Sequence, residues 1–196
     1  MTSRTLQRPL LALALAGALA APAAQAADLV LAGQLAFHNS LVQIDFTLAA
    51  PATVRLWTDS WQSGLNFDPQ LTLWQGGQWL AANDDADPLG AGQGYYDAAL
   101  SLALDAGSYR LVLHAAGNDA LGTTLAAGFS LAGEAPLPLA DWTQPSSDLN
   151  AGDQKGSFWQ LHLDQVTQAA AVPEPASVAL MLAGLLAVAT AARRRD

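Results

Sequence analysis

The chain has 196 residues, eight Lys or Arg against seventeen Asp or Glu, a formal net charge of −9 and no cysteine. The missing thiols remove disulfides, thiolate nucleophiles and cysteine metal sites together, so the fold must rest on its core or on bound ions. The acidity disfavours nucleic acid and anionic lipid as partners, since both carry like charge, and it also suits the plainer role of solubility.

The first segment reads as a targeting pattern. Arg4 and Arg8 precede an apolar run from Leu10 to Ala21, and Ala24 and Ala26 supply small residues at the two positions a signal peptidase reads. This is the layout of a secretory signal peptide over 1–26, cut between Ala26 and Ala27. The expected route is therefore export, N-terminus first. The body that follows, Ala27 to Val172, has 146 residues, enough for one domain with a substantial core. Only Arg55, Arg110 and Lys155 are basic there, against fourteen aspartates and Glu134, a net charge of −12.

Through the body the dominant signal is alternation with period two. In 41–48, Val42, Ile44, Phe46 and Leu48 share one face and Gln43, Asp45 and Thr47 the other. Val54 and Leu56 then alternate with Arg55 and Trp57. Further strands are predicted over 29–37, 71–74, 79–81, 98–104, 109–114, 125–131 and 157–163. Turn signals separate them at Ala50-Pro51, Gly76-Gly77, Asp105-Ala106-Gly107, Gly117-Asn118-Asp119 and Asn150-Ala151-Gly152. Short, closely spaced strands of this kind predict an all-β fold, an antiparallel β-sandwich or jelly roll of about eight to nine strands. No long 3.6-residue period competes with that reading.

Catalytic constellations do not stand out. His38, His114 and His162 fall at the edges or ends of predicted strands and read as surface histidines. Ser40, near His38, lies in no Gly-x-Ser-x-Gly elbow, and His-Glu-x-x-His is absent. The chain is therefore expected not to be an enzyme. Fifteen acids in the body always permit some carboxylate pair, so a secreted hydrolase using acidic residues is the alternative. Six tryptophans point instead to binding. Trp57 is out of phase with Val54 and Leu56, and Trp61 sits among Ser60, Gln62 and Ser63. Exposed indoles beside polar groups can stack on sugar rings, whereas Trp74, Trp79 and Trp159 suit caps on a sandwich core.

The tail has three parts in order: Pro173-Glu174-Pro175, an uncharged stretch 176–192, and Arg193-Arg194-Arg195. The prolines keep a helix from running back into the body. The seventeen residues of 176–192 would span roughly 25 Å as a helix, near the lower limit for a transmembrane segment. The arginines should hold the C-terminus in the cytoplasm as a membrane stop. The tail resembles the PEP-CTERM sorting signal of Gram-negative exported proteins, which implies an exosortase as a transient membrane partner and cleavage near the motif. It further implies delivery to the cell surface or extracellular matrix, with a structural or adhesive role beside exopolysaccharide in biofilm. The expected organisation is a signal peptide over 1–26, a sandwich over 27–171 and the sorting signal over 172–196.

One block of the body carries a second resemblance. Phe67-Asp68-Pro69-Gln70-Leu71-Thr72-Leu73 is followed by a glycine hairpin and Leu80-Ala81-Ala82-Asn83-Asp84-Asp85. Asp97-Ala98-Ala99-Leu100-Ser101-Leu102 and Leu104-Asp105-Ala106-Gly107-Ser108-Tyr109-Arg110-Leu111-Val112-Leu113 complete it. In this order, over roughly 40–131, it resembles bacterial pre-peptidase C-terminal-type domains, and implies a binding or passenger module that sometimes holds calcium. The oxygen ligands implied are Asp68, Asn83, Asp84, Asp85, Asp87 and Asp97, since calcium takes irregular oxygen shells. EF-hand spacing fails, with Pro88 and Gly94 at the positions of the loop glycine and bidentate glutamate. The same residues also suit an exposed carboxylate-rich loop with Asx-turn chemistry.

Overall fold

The alternation of apolar and polar residues becomes nine strands in a computed structural model that describes residues 28–144 and 155–172. The expected signal peptide with Ala24, Ala26 and Ala27 lies outside the described residues, as do Pro173, Glu174, Pro175, the 176–192 helix and Arg193, Arg194 and Arg195. Among the described residues no helix is long and apolar enough to cross a membrane.

The strands are β1 (Leu29–Gln34), β2 (Val42–Leu48), β3 (Ala52–Thr58), β4 (Pro69–Gln75), β5 (Gln78–Asn83), β6 (Ala99–Leu104), β7 (Gly107–Ala115), β8 (Phe158–Asp164) and β9 (Gln168–Val172). They form a four-stranded sheet, β1-β8-β3-β6, and a five-stranded sheet, β5-β4-β7-β2-β9. Every pairing is antiparallel. The chain changes sheet at every connection except the β4–β5 hairpin. There Gly76 and Gly77 take φ of +57° and +79°, which the tight two-residue turn requires.

The core fills the space between the sheets, as period two dictates. Ile44, Phe46 and Leu48 of β2 and Leu111 and Leu113 of β7 face Val54 and Leu56 of β3 and Leu161 and Leu163 of β8. Phe46 stacks on Tyr109 of the neighbouring strand at 5.3 Å, and the Tyr109 hydroxyl donates to the Asp105 carbonyl at 2.7 Å, pinning the β6–β7 corner.

Two segments depart from the sequence reading. Residues 125–131 are not a strand. Leu125–Ala127 is a single 3-10 turn, and Leu125 and Phe129, spaced by four, press on the outer face of the five-stranded sheet against Trp74 and Val112. Conversely, β9 was not expected, because its alanine-rich stretch shows no apolar alternation. It forms as an edge that pairs with β2 alone, Ile44 opposite Ala171 and Gln43 opposite Val172.

The histidines are not on the surface, because connecting segments cover the strand faces from outside. His38 is buried beneath the 129–142 segment, with Nε2 3.2 Å from Glu134, Nδ1 accepting from the Leu137 N–H at 3.2 Å, and the Trp142 ring 5.2 Å away. His114 is buried under Phe129, with ring centroids 4.9 Å apart and Nδ1 3.2 Å from the Ala115 carbonyl.

Burial pushes the His114 pKa down from 6.5 to about 4, against the opposing pull of the Ala115 carbonyl and of Asp119 and Asp84. The unfolded chain takes up this proton near pH 6.5 and the folded one resists it until about 4. Stability is therefore intact above 6.5 and falls as pH drops toward 4, by about 3 kcal/mol across that window. Denaturant melts at pH 7 and pH 4 should show a smaller loss for His114→Asn than for the wild type; equal losses would contradict the assignment.

Candidate functional site

The two indoles expected to meet a ligand are instead inside the protein. Trp57 and Trp61 are each 6% exposed. Trp57 points outward from the four-stranded sheet, as its phase required, but lies flat on His162 of β8 at 3.7 Å and 3°. The β5–β6 connection, residues 84–98, then closes over it. A Cβ at Gly90 would overlap the Trp57 ring, and one at Gly94 would overlap Trp61. Trp61 meets Tyr96 edge-on at 5.0 Å. Trp79, expected as a core cap, is 44% exposed on the edge strand β5.

The carboxylates expected to bind calcium divide in the same way. Asp97 is fully buried and is surrounded by donors. Its Oδ1 accepts from the Thr58 hydroxyl at 2.9 Å and from the Ser60 and Trp61 N–H groups at 2.9 and 3.1 Å, while Oδ2 accepts from the Gly94 N–H at 2.8 Å. The three bonds to Oδ1 tie the 84–98 segment to the end of β3, and the bond from Gly94 closes a turn within the segment. Asn83 links β5 to β6, accepting from the Ala99 N–H at 2.9 Å and donating to the Asp85 carbonyl at 2.7 Å. Asp84, Asp85 and Asp87 stay exposed, and Asp84 accepts from the Asp85 N–H at 3.1 Å, an Asx-type contact. Asp68 is buried just before β4, its N–H bonded to Gln144 at 2.9 Å. Among the described residues no three His, Cys, Asp or Glu side chains form a group that could hold a metal ion.

A polar patch that the sequence did not single out surrounds the Trp57–His162 stack. His162 Nε2 lies 3.1 Å from Asp59 and Nδ1 lies 3.4 Å from Asp28, while Gln160 donates to Asp59 at 3.0 Å. The Asp164 carboxyl titrates above the usual range, chiefly through burial and then through its hydrogen bond with Asp28 and that group's charge. Arg55, 3.2 Å away, and His162 oppose the rise. The sequence hint was there, since Arg55 and Trp57 share the outward phase of β3. Their partners on β8 required the register, Arg55 opposite Asp164 and Trp57 opposite His162.

The open site lies on the other sheet. Trp79, Trp74, Arg110, Asp45 and Ala170 stand in one rank across β5, β4, β7, β2 and β9. The next outward rank is Ser108, Thr47 and Gln168. The covering segment that carries Leu125 and Phe129 seals the sheet over Trp74 and Val112 and leaves both ranks open where they cross β7, β2 and β9. The result is a groove of about 590 Å³ walled by Leu125, the Gly76-Gly77 turn and the edge strand β9. On its floor Arg110 grips Asp45 through both oxygens, Nε to Oδ1 at 2.6 Å and Nη2 to Oδ2 at 2.7 Å. The bond holds the guanidinium even more firmly protonated than usual.

The closed and open faces make different demands on their side chains. Asp97→Asn replaces an acceptor with a donor facing N–H or O–H groups, and should cost about 3 kcal/mol. The exposed Asp85→Asn should change stability by no more than about 0.5 kcal/mol. Urea midpoints measure both, and a near-neutral Asp97→Asn would remove the anchoring role.

Comparison with known proteins places one feature of the chain. The PEP-CTERM protein-sorting motif matches residues 171–195. No curated protein and no solved structure matches the chain. The motif implies processing by a membrane-embedded exosortase, export, and transient membrane anchoring before release to the cell surface. Its first two residues, Ala171 and Val172, are the last paired residues of β9, so the folded sandwich carries a PEP-CTERM sorting motif that begins within its own sheet.

Proposed function

We propose that this chain is a non-catalytic β-sandwich delivered by exosortase processing to the cell surface or extracellular matrix, where it acts as a structural or adhesive component in contact with exopolysaccharide. The sorting motif at 171–195, running directly out of β9, carries the reading. A disulfide-free domain with a net charge of −12 is a suitable soluble cargo for that route. The signal peptide over 1–26 supplies the entry step, with signal peptidase as its partner.

The absence of catalytic work is supported by the chemistry of the groove. Among the described residues Asp45 is the one carboxylate lining it, and Arg110 already holds both of its oxygens. Glycoside hydrolysis by acidic residues needs a second carboxyl about 5–9 Å across the scissile bond, with one of the two protonated. The likeness of 40–131 to pre-peptidase C-terminal-type domains agrees with a binding module, and the Trp57 and Trp61 platform first expected for sugar is replaced by the groove.

Replacing Pro173, Glu174 and Pro175 together by alanine tests the delivery route. The wild-type protein should be recovered with the extracellular polysaccharide fraction, and the triple variant should stay with the membrane fraction. Equal distribution of the two would set the sorting reading aside, and wild-type protein found only free in the medium would set aside the matrix role.

A further inference from the structure

We infer that the groove over β7, β2 and β9 is a binding site for an uncharged saccharide, recognised by the Arg110–Asp45 pair. This rests on the matrix reading above and gives it a location. The pair is a neutral plate with fixed donors on one side and fixed acceptors on the other. After the bidentate contact, Arg110 keeps the two hydrogens of Nη1 and one of Nη2, and Asp45 keeps outward lone pairs on both oxygens. A vicinal diol matches this plate. One hydroxyl accepts from the guanidinium while its neighbour donates to the carboxylate, and neither displaces the ion pair.

The alternatives fit worse on physical grounds. An anion would have to compete with Asp45 for the Arg110 guanidinium, inside a domain whose net charge is −12. An acyl chain would cover the ion pair without supplying hydrogen bonds, leaving charge desolvated and uncompensated. Thr47, Ser108 and Gln168 add further groups that both donate and accept, and Leu125 supplies an apolar wall for the carbon face of a ring. The volume, about 590 Å³, falls within the range of small-ligand sites. The groove is open because the covering segment turns at Leu125 onto the β4–β5 hairpin, where the Leu125 N–H bonds the Gly77 carbonyl and the Trp79 N–H the Thr123 carbonyl; Val112 and His114 on the same face are buried against Phe129.

The test uses mature protein purified from the producing cells and labelled with 15N. Its probes are maltohexaose, cellohexaose, laminarihexaose and the anionic hexagalacturonate. At least one neutral hexamer should shift the amides of Thr47, Ser108, Arg110 and Gln168, with little dependence on salt. Arg110→Met should weaken that binding by about tenfold or more. Ala170→Trp, which fills the groove and leaves the ion pair in place, should do the same and serves if Arg110→Met fails to fold. No shift of these amides by any neutral hexamer, tighter binding of hexagalacturonate, or binding that survives Ala170→Trp would each overturn the assignment. Recovery of the variants with the extracellular polysaccharide separates the two readings. If they are retained like the wild type, the groove assignment fails and the matrix role stands.

Discussion

With no cysteine in the chain, nothing covalent closes this sandwich, and every other feature depends on the inward faces of its two sheets packing against each other. Ile44, Leu56, Leu71, Leu73, Leu111, Leu113, Leu161 and Leu163 are fully buried, each contributing about 2 kcal/mol relative to exposure. Because the side-chain period of a strand is two, this inward set determines what points outward. A one-residue slip of β2 against β7 would exchange Ile44 and Phe46 for Asp45 and Thr47, so the register is strongly specified. The register in turn brings Arg110 opposite Asp45 and Trp57 opposite His162. The candidate sites are therefore consequences of core packing at one remove.

The two outward faces are finished differently, and the difference is what leaves a site. Over the four-stranded sheet the 84–98 segment lies close enough that Gly90 and Gly94 have no room for a Cβ against Trp57 and Trp61. Asp97 secures it with three hydrogen bonds accepted from Thr58, Ser60 and Trp61. Over the five-stranded sheet, Phe129 and Leu125 cover Trp74, Val112 and His114 and leave the Arg110, Asp45, Ser108, Thr47 and Gln168 positions on β7, β2 and β9 open. Those open positions carry polar side chains that need no cover. Groups left under cover must be neutral or paired, which is why His114 resists protonation.

Much of the fold was legible in the sequence because it follows from local pattern. The 41–48 alternation places Val42, Ile44, Phe46 and Leu48 correctly, and Gly76-Gly77 marks its hairpin. What local pattern cannot say is whether an outward face is later covered. That is why Trp57, Trp61 and the three histidines read as surface residues and are buried or mostly buried. It is also why Asp97, in a carboxylate-rich stretch, reads as a cation ligand and is an anchor for N–H groups. Residues 125–131 look strand-like by composition, yet Leu125 and Phe129 lie four apart, and their contacts are with the sheet beneath them. The β9 strand is invisible because Gln168-Ala169-Ala170-Ala171-Val172 takes its structure from the free side of β2. Asp45 and Arg110 were visible as outward and basic, but their pairing depends on residues 65 apart in sequence being brought together by β2 and β7.

The continuity of β9 with the sorting motif joins the fold to the delivery route. Val172 is paired to Gln43, and Pro173 follows it directly in the sequence, so the sorting motif begins where the sheet pairing ends. As an edge paired on one side only, β9 can detach at lower cost than any inner strand of its sheet. Intact-mass measurement of the protein recovered from outside the cells tests this most directly. The delivery route predicts a chain that begins at Ala27 and ends within a few residues of Val172, lacking 176–196. A recovered chain that still carries 176–196 would contradict it.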